Sequence, residues 1–261
     1  MNWLQALILG IVQGITEFLP ISSKGHLAIC ASFCGLDNPE KALAFVVFLH
    51  FASLLAILVV FAKEIIQVFT AKHINIILWV IIGTIPAVII GIACKKYVEA
   101  LFSPDRLYLI GIALIINGFI LLIGEHSAWG ISQIPLERIG VKKSLIIGII
   151  QTIAFIPGIS RSGSTISGGL ICGLGKKQAV IFSFFLAILA ILGASVVELK
   201  DFSKFTASVQ PIPILIGGIA AFLVSIVAIN ILIRVVIKGK LYYFSIYCFV
   251  VGAIVLIAQI F

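Results

Sequence analysis

Two apolar stretches of this chain break at a proline after about one helix's length, and that pattern limits what the chain can fold into. Leu7 to Gly25 reads LILGIVQGITEFLPISSKG, breaks at Pro20 and is followed at once by His26. Leu145 to Gly163 reads LIIGIIQTIAFIPGISRSG and breaks at Pro157. Laid over each other without gaps, at an offset of 138, they agree at nine of 19 positions. Aliphatic agreements say little in a chain 62% hydrophobic, so the informative ones are Gly10/Gly148, Gln13/Gln151, Ser22/Ser160 and Gly25/Gly163. One structural unit is used twice.

Only 11% of the 261 residues are charged, against about 25% in a soluble domain, which makes this an all-α polytopic membrane protein. A spanning helix needs roughly 20 apolar residues. Six runs provide them, at about 43–62, 74–94, 107–124, 179–197, 212–233 and 241–260. The two broken stretches are apolar for less, and in lipid a broken helix must hide its freed backbone groups in protein or a wet cavity. They are therefore expected as re-entrant helix–tip–helix hairpins over about 4–35 and 144–174. Leu107 to Ile123 also overlays Leu241 to Ile257, with seven of 17 identities including Gly118/Gly252. Each half, 1–134 and 139–261, then holds one hairpin and three spans. Three is odd, so the halves are expected upside down relative to each other. Inverted-topology repeats keep their sites at such broken helices, near the midplane.

A net charge of +8 raises the question of nucleic acid, but the 18 Lys and Arg sit mostly in short connectors between apolar runs. There they set topology, and no nucleic-acid partner is expected. Lys63, Lys72, Arg138, Lys142, Lys143, Lys176, Lys177, Arg234, Lys238 and Lys240 fall on one side; Lys41, Lys95, Lys96, Arg106, Lys200 and Lys204 fall on the other. The first side is expected to be cytoplasmic, with both termini outside. The first stretch has no basic residue before Lys24 and carries Glu17, so it does not read as a removable signal peptide. The five cysteines (Cys30, Cys34, Cys94, Cys172, Cys248) have no metal-finger spacing and read as small buried hydrophobes.

Ionisable groups within a membrane are costly and each needs a reason. Glu17, Lys24, His26 and Arg161 gather at the two breaks. His50, alone in its span, reads as a structural residue. At the tips Ser22, Ser23, Ser160 and Ser162 stand where a helix restarts, so backbone N–H groups and the positive dipole end point inward. Gly25 and Gly163 permit close approach; Arg161 offers a fork for phosphate oxygens and Lys24 a compact charge. This describes an anion site for phosphate or diphosphate. Ser23, His26 and Glu17 add a hydroxyl nucleophile, a titratable imidazole and a carboxylate, the set a phosphoryl-transfer enzyme needs. Ser23 and His26 share a helix face, and either is a possible nucleophile. Glu17 would orient His26 or hold a divalent ion. Gln13 and Gln151 are the supporting polar groups on the first half-helices.

At these residues the chain resembles the bacterial undecaprenyl pyrophosphate phosphatases linked to bacitracin resistance. One signature stands as Gln13-Gly14-Ile15-Thr16-Glu17-Phe18-Leu19-Pro20-Ile21-Ser22-Ser23-Lys24-Gly25-His26, the other as Pro157-Gly158-Ile159-Ser160-Arg161-Ser162-Gly163. The resemblance implies hydrolysis of a C55 polyprenyl diphosphate to the monophosphate and inorganic phosphate, which recycles the cell-wall lipid carrier at the bacterial inner membrane. It also implies re-entrant helices in an inverted repeat, a site open to the outer face and a divalent cation, Mg²⁺ or Ca²⁺. Carried over residue by residue, Glu17, Ser23, His26 and Arg161 are the core; Ser22, Ser160, Ser162 and Gly163 cradle phosphate. Two positions depart from the pattern. Gln13 stands where many members have Glu, leaving Glu17 the only acid in the signature, and Lys24 stands where many have Thr or Ser. The competing function is a transporter or flippase of the same lipid, since broken helices in inverted repeats also serve alternating access. A homodimer is the oligomer kept open.

Overall fold

The fold comes from a computed structural model that describes residues 2–33, 39–70, 73–94, 107–128, 133–206 and 211–259. Cys34, the close of the first hairpin at 34–35, Lys72, and the connector residues Lys95, Lys96 and Arg106 lie outside those ranges. The described residues form α1 (Trp3–Thr16), α2 (Ser23–Phe33), α3 (Pro39–Val60), α4 (Ala62–Thr70), α5 (Ile74–Ala93), α6 (Leu107–Ser127), α7 (Gly140–Thr152), α8 (Arg161–Ile171), α9 (Lys176–Thr206), α10 (Pro211–Ile237) and α11 (Tyr242–Ile257). Two single 3-10 turns, Leu136–Arg138 and Ile153–Phe155, precede and follow α7.

Four of these helices are long and apolar enough to cross a membrane: α5, α6, the Lys176–Ser195 part of α9, and α10. A fifth crossing is available if α3 and α4, bent by 64° around Phe61, act as one broken span. The chain is thus an all-helical protein with four to five candidate spans, where six were expected. The difference lies in α11, whose 16 helical residues rise about 24 Å, short of a ~30 Å hydrocarbon core. Both broken stretches form helix–tip–helix hairpins, α1–α2 and α7–α8, and their first helices of 14 and 13 residues are shorter still.

Packing follows the rules of lipid rather than water. Along α10 the exposed positions are Ile212, Leu215, Ile219, Leu223, Val227 and Ile231, while Gly217, Gly218, Ala221 and Ser225 are buried. Tails of lipid solvate large aliphatic side chains as well as a protein core does, so helices gain by putting small residues between them and bringing backbones close. Gly10 of α1 lies so near Gly217 of α10 that a Cβ there would overlap the Gly217 carbonyl oxygen; Gly148 of α7 lies the same way on Gly83 of α5. Gly14 follows onto Ala221, and Ser144 meets Gly83 while Gly148, one turn on, reaches Pro86, so α1 runs parallel to α10 and α7 parallel to α5. Helices α6 and α11 cross antiparallel at Gly111 and Gly252.

One end of the bundle is basic. There Lys177 Nζ lies 3.9 Å from Glu64 Oε1, the Trp79 indole donates to the Glu137 carbonyl at 3.2 Å, and the Tyr242 N–H donates to Glu125 Oε2 at 2.6 Å. Helix α7 starts from this end, while α1, parallel to α10, starts from the opposite one. The two hairpins point into the bundle towards each other. Among the described cysteines Cys248 is buried, Cys30, Cys94 and Cys172 are half-buried, and none of the four is in a disulfide.

The glycine contacts set a test. Gly10→Ala and Gly148→Ala should each cost about 1–3 kcal/mol by overpacking, read as a lower melting temperature in detergent. Gly193→Ala, with nothing within 4 Å of the added carbon, should be neutral or stabilise by up to about 1 kcal/mol.

Candidate active site

The two tips meet, and specific bonds join them. Ser22 takes a left-handed conformation at φ +72°, a strain of roughly 1–3 kcal/mol for a non-glycine residue. What holds it there is the other tip: Ser22 Oγ accepts the Gly158 N–H at 3.1 Å. Gly158, at φ +105°, is itself seated on α6, where a Cβ would meet Ala113 and the Ile110 carbonyl. Gly25 lies 3.3 Å from Gly158 Cα, and Gly163 lies 3.2 Å from Pro20 Cβ, each distance measured from an added Cβ. Ser160 caps α8 by accepting the Gly163 N–H at 3.1 Å and bonds Ser162 Oγ at 3.0 Å. Four expected anion contacts (Ser22, Gly25, Ser160 and Gly163) therefore make tip-to-tip or capping contacts, and Ser162 joins them.

A residue from a third element completes the junction. Asn117, fully buried on α6, donates from Nδ2 to the Pro20 carbonyl at 2.7 Å and accepts the Ser160 N–H on Oδ1 at 2.9 Å. One side chain thus clamps both tips. It is the only amide in an aliphatic run, LIINGFILLI, and that isolation is the signal by which it could have been found.

At the centre stands Glu17, its side chain 5% exposed. Oε1 accepts from Arg161 Nη2 at 2.6 Å. Oε2 accepts from Ser23 Oγ at 2.7 Å and Gln13 Nε2 at 3.2 Å, and His50 Nε2 lies 3.4 Å from it. Glu17 is on the turn after α1, Ser23 begins α2, Arg161 begins α8 and His50 is on α3. Burying a carboxylate is costly unless it is paired and hydrogen-bonded, and here both oxygens are engaged. Arg161 Nη1 and Gln13 Oε1 are buried without a protein partner, a donor and an acceptor left for something else. Lys24 Nζ is 5.8 Å from the ring centroid of Phe155 on the second tip. Gln151, also buried, is likewise left with Oε1 unpartnered, on α7.

The two histidines are arranged otherwise than expected. His26 does not meet Glu17. Its Nδ1 lies 2.8 Å from the Ser22 carbonyl and its Nε2 2.8 Å from Tyr247 Oη, with the two rings stacked. A carbonyl only accepts, so Nδ1 carries a proton and Nε2 is free to accept from the phenol. The imidazole that meets Glu17 is that of His50, whose Nδ1 donates to the Val46 carbonyl at 2.8 Å. Its apolar helical surroundings suggested a structural role, and contact across 33 positions in sequence leaves no local trace.

Beside His26 an apolar groove of about 460 Å³ runs between α1 and α11, lined by Val12, Ile15, Leu19, Phe244 and Tyr247 among others. As for a metal, among the described residues no three His, Cys, Asp or Glu converge to hold one. The donor set at the centre is a single carboxylate with both oxygens in use, plus the uncommitted Gln13 Oε1.

A carboxylate that holds a serine by its proton, an arginine with one free donor, and an adjoining apolar groove define a membrane-embedded site suited to an amphiphilic anion. The family profile described as Bacitracin resistance protein BacA matches residues 6–254, and this chain belongs to that family. It is 39% identical over 262 residues to an undecaprenyl-diphosphatase of Carboxydothermus hydrogenoformans, covering 99% of this chain and 98% of that one. It is also 39% identical over 280 residues to an undecaprenyl-diphosphatase of Methanobrevibacter smithii, covering 100% and 99%. To one of Bacteroides thetaiotaomicron it is 37% identical over 270 residues, all of both chains.

Removing one member of the central pair should be worse than removing both. Arg161→Ala is expected to cost about 3–5 kcal/mol by leaving the buried Glu17 without its arginine. Adding Glu17→Gln to it should restore part of the loss. Thermal unfolding of the two single variants and the double variant in detergent measures the coupling.

Proposed function

We propose that this protein hydrolyses undecaprenyl diphosphate to undecaprenyl phosphate and inorganic phosphate, returning the lipid carrier to cell-wall synthesis and so conferring bacitracin resistance. The observation that carries this reading is the convergence of Ser23 and Arg161, from opposite hairpins, on the two oxygens of Glu17 at 2.7 and 2.6 Å. The names of the relatives agree with it. In the proposed reaction the prenyl tail occupies the groove between α1 and α11, and the diphosphate reaches Arg161 Nη1. Ser23 Oγ gives its proton to Glu17 Oε2 and attacks the terminal phosphorus; the bond to the bridging oxygen breaks and undecaprenyl phosphate leaves. Water then attacks the phosphorus, the Oγ–P bond breaks, Glu17 returns its proton to Ser23 Oγ, and both protons of the water leave on the released phosphate. Arg161 takes up charge that develops on the transferring group.

His26 faces the groove with Nε2 held by Tyr247, so we place it beside the leaving phosphate and make Ser23 the nucleophile. A divalent cation, Mg²⁺ or Ca²⁺, is proposed to enter with the diphosphate. Mg²⁺ is commonly held by one or two carboxylates and by substrate oxygens, and here Glu17 and Gln13 Oε1 would face it. Bound there, it would neutralise phosphate charge.

The same proposal includes two inverted halves, 1–134 and 139–261, with six crossings counted by taking α3 and α11 as spans. The parallel pairing of α1 with α10 and α7 with α5 supports it. With the basic end at the cytoplasm of a bacterial inner membrane, both termini and the water-facing mouth of the site are placed outside. The alternative, a transporter or flippase of the carrier, predicts lipid movement without phosphate release.

Phosphate release from a prenyl diphosphate by the purified protein, with metal and with EDTA, tests the reading. Ser23→Ala and Arg161→Ala should each reduce turnover on the order of 10³-fold, and EDTA should suppress the wild type. Near-normal turnover by Ser23→Ala with saturating metal would rule out the serine mechanism.

A further inference from the structure

Glu17 is held by four side chains, and one of them has no role in the proposed reaction. Arg161 holds Oε1, while Oε2 receives Ser23 at 2.7 Å and Gln13 at 3.2 Å. The remaining neighbour of Oε2 is His50 Nε2 at 3.4 Å, carried on α3, an element that belongs to neither hairpin. The imidazole cannot swing freely. Its Nδ1 proton is fixed on the Val46 carbonyl one turn back at 2.8 Å, and the helix around it is anchored by Phe45, Leu49 and Leu54, each at most 2% exposed. With Nδ1 committed, a proton on Nε2 points at the carboxylate.

We propose that His50 is a positioning residue that holds Oε2 of Glu17 in line with the Ser23 hydroxyl. This rests on the phosphatase reading above. The need arises when Ser23 leaves to bond phosphorus. Oε2 then loses its shortest contact while it carries the transferred proton, and Arg161 grips only the other oxygen. Gln13 and His50 are what remain on Oε2. Gln13 sits on α1, the helix that ends at Glu17 itself, and moves with it. His50 is referenced to the bundle, so it fixes where the carboxyl plane stands relative to the second hairpin. Small misplacements of a catalytic group lower turnover steeply while leaving binding intact.

Steady-state phosphate release from a prenyl diphosphate by wild type, His50→Leu and His50→Gln decides the matter. His50→Leu should lower kcat on the order of 10²-fold, the cost of about 1 Å of misplacement, with KM changed less than about threefold. His50→Gln, whose amide N–H can reach Oε2 without a charge, should recover most of the lost kcat. Full turnover by His50→Leu would overturn the role. So would a rise in KM at unchanged kcat, because His50 would then act on the bound phosphate. Equal loss in both variants, with both eluting as folded monodisperse protein, would also overturn it. Wild type that binds the lipid but releases no phosphate sinks the phosphatase reading itself, a result distinct from all of these.

Discussion

The contact between Glu17 and Arg161 is the constraint on which the rest of the structure depends. Two opposite charges at the meeting point of two hairpins are tolerable only together, because an unpaired charge at the centre of a spanning helix costs about 2.5–3.5 kcal/mol even on insertion scales. The pair spans 144 positions of sequence and closes at 2.6 Å. To bring it there, the chain must turn back at each tip, where Pro20 and Pro157 stand, and the tips must stay in register. Ser22, Gly158 and Asn117 keep that register through hydrogen bonds that do not involve the charged groups. The charges supply reactivity, and the neutral groups around them supply geometry.

How the tips are carried is a matter of solvent. In lipid an exposed isoleucine loses nothing, so the large side chains of α10 face outward and its glycines and alanines face α1. Gly10 on Gly217 and Gly148 on Gly83 are the closest expressions of this. They bring the first half-helices against long neighbours that reach much further across the bundle. A half-helix of 13 or 14 residues is thereby braced by a helix long enough to cross.

Much of this could be read from the chain and some could not, for identifiable reasons. The breaks at Pro20 and Pro157, the paired stretches and the long apolar runs are local signals, and the helices fall where the runs lie. Four to five of the six apolar runs stand as helices long enough to cross, and hydropathy does not see where a helix begins: α11 starts at Tyr242 and has 16 residues, whatever the apolarity of its flanks. Glu17, Ser23 and Arg161 were legible because polar groups in apolar surroundings stand out. Their partners were less so. His26 and Ser23 share a face in sequence, yet the ring of His26 turns to Tyr247, 221 positions away. His50 and Asn117 act through contacts with other elements, and a single sequence records such contacts only as an oddity, a polar residue where none is needed. Several residues expected to cradle phosphate also form the joint between the tips, a second task that serine and glycine can serve and that the sequence did not show.

The distance along the chain between Glu17 and Arg161 also bears on how the protein is made. At translation speeds of about 5–20 residues per second, the 144 positions between them take on the order of ten seconds to appear. For that interval a nascent first hairpin carries a carboxylate whose partner does not exist, and Gly10 has no Gly217 to lie against. The hairpin is too short to be a stable span and too charged to rest in lipid. Its final seating is therefore a late event in biogenesis, completed only when α8 and α10 have followed it into the membrane. Until then the N-terminal segment has to wait at the interface or within the insertion machinery.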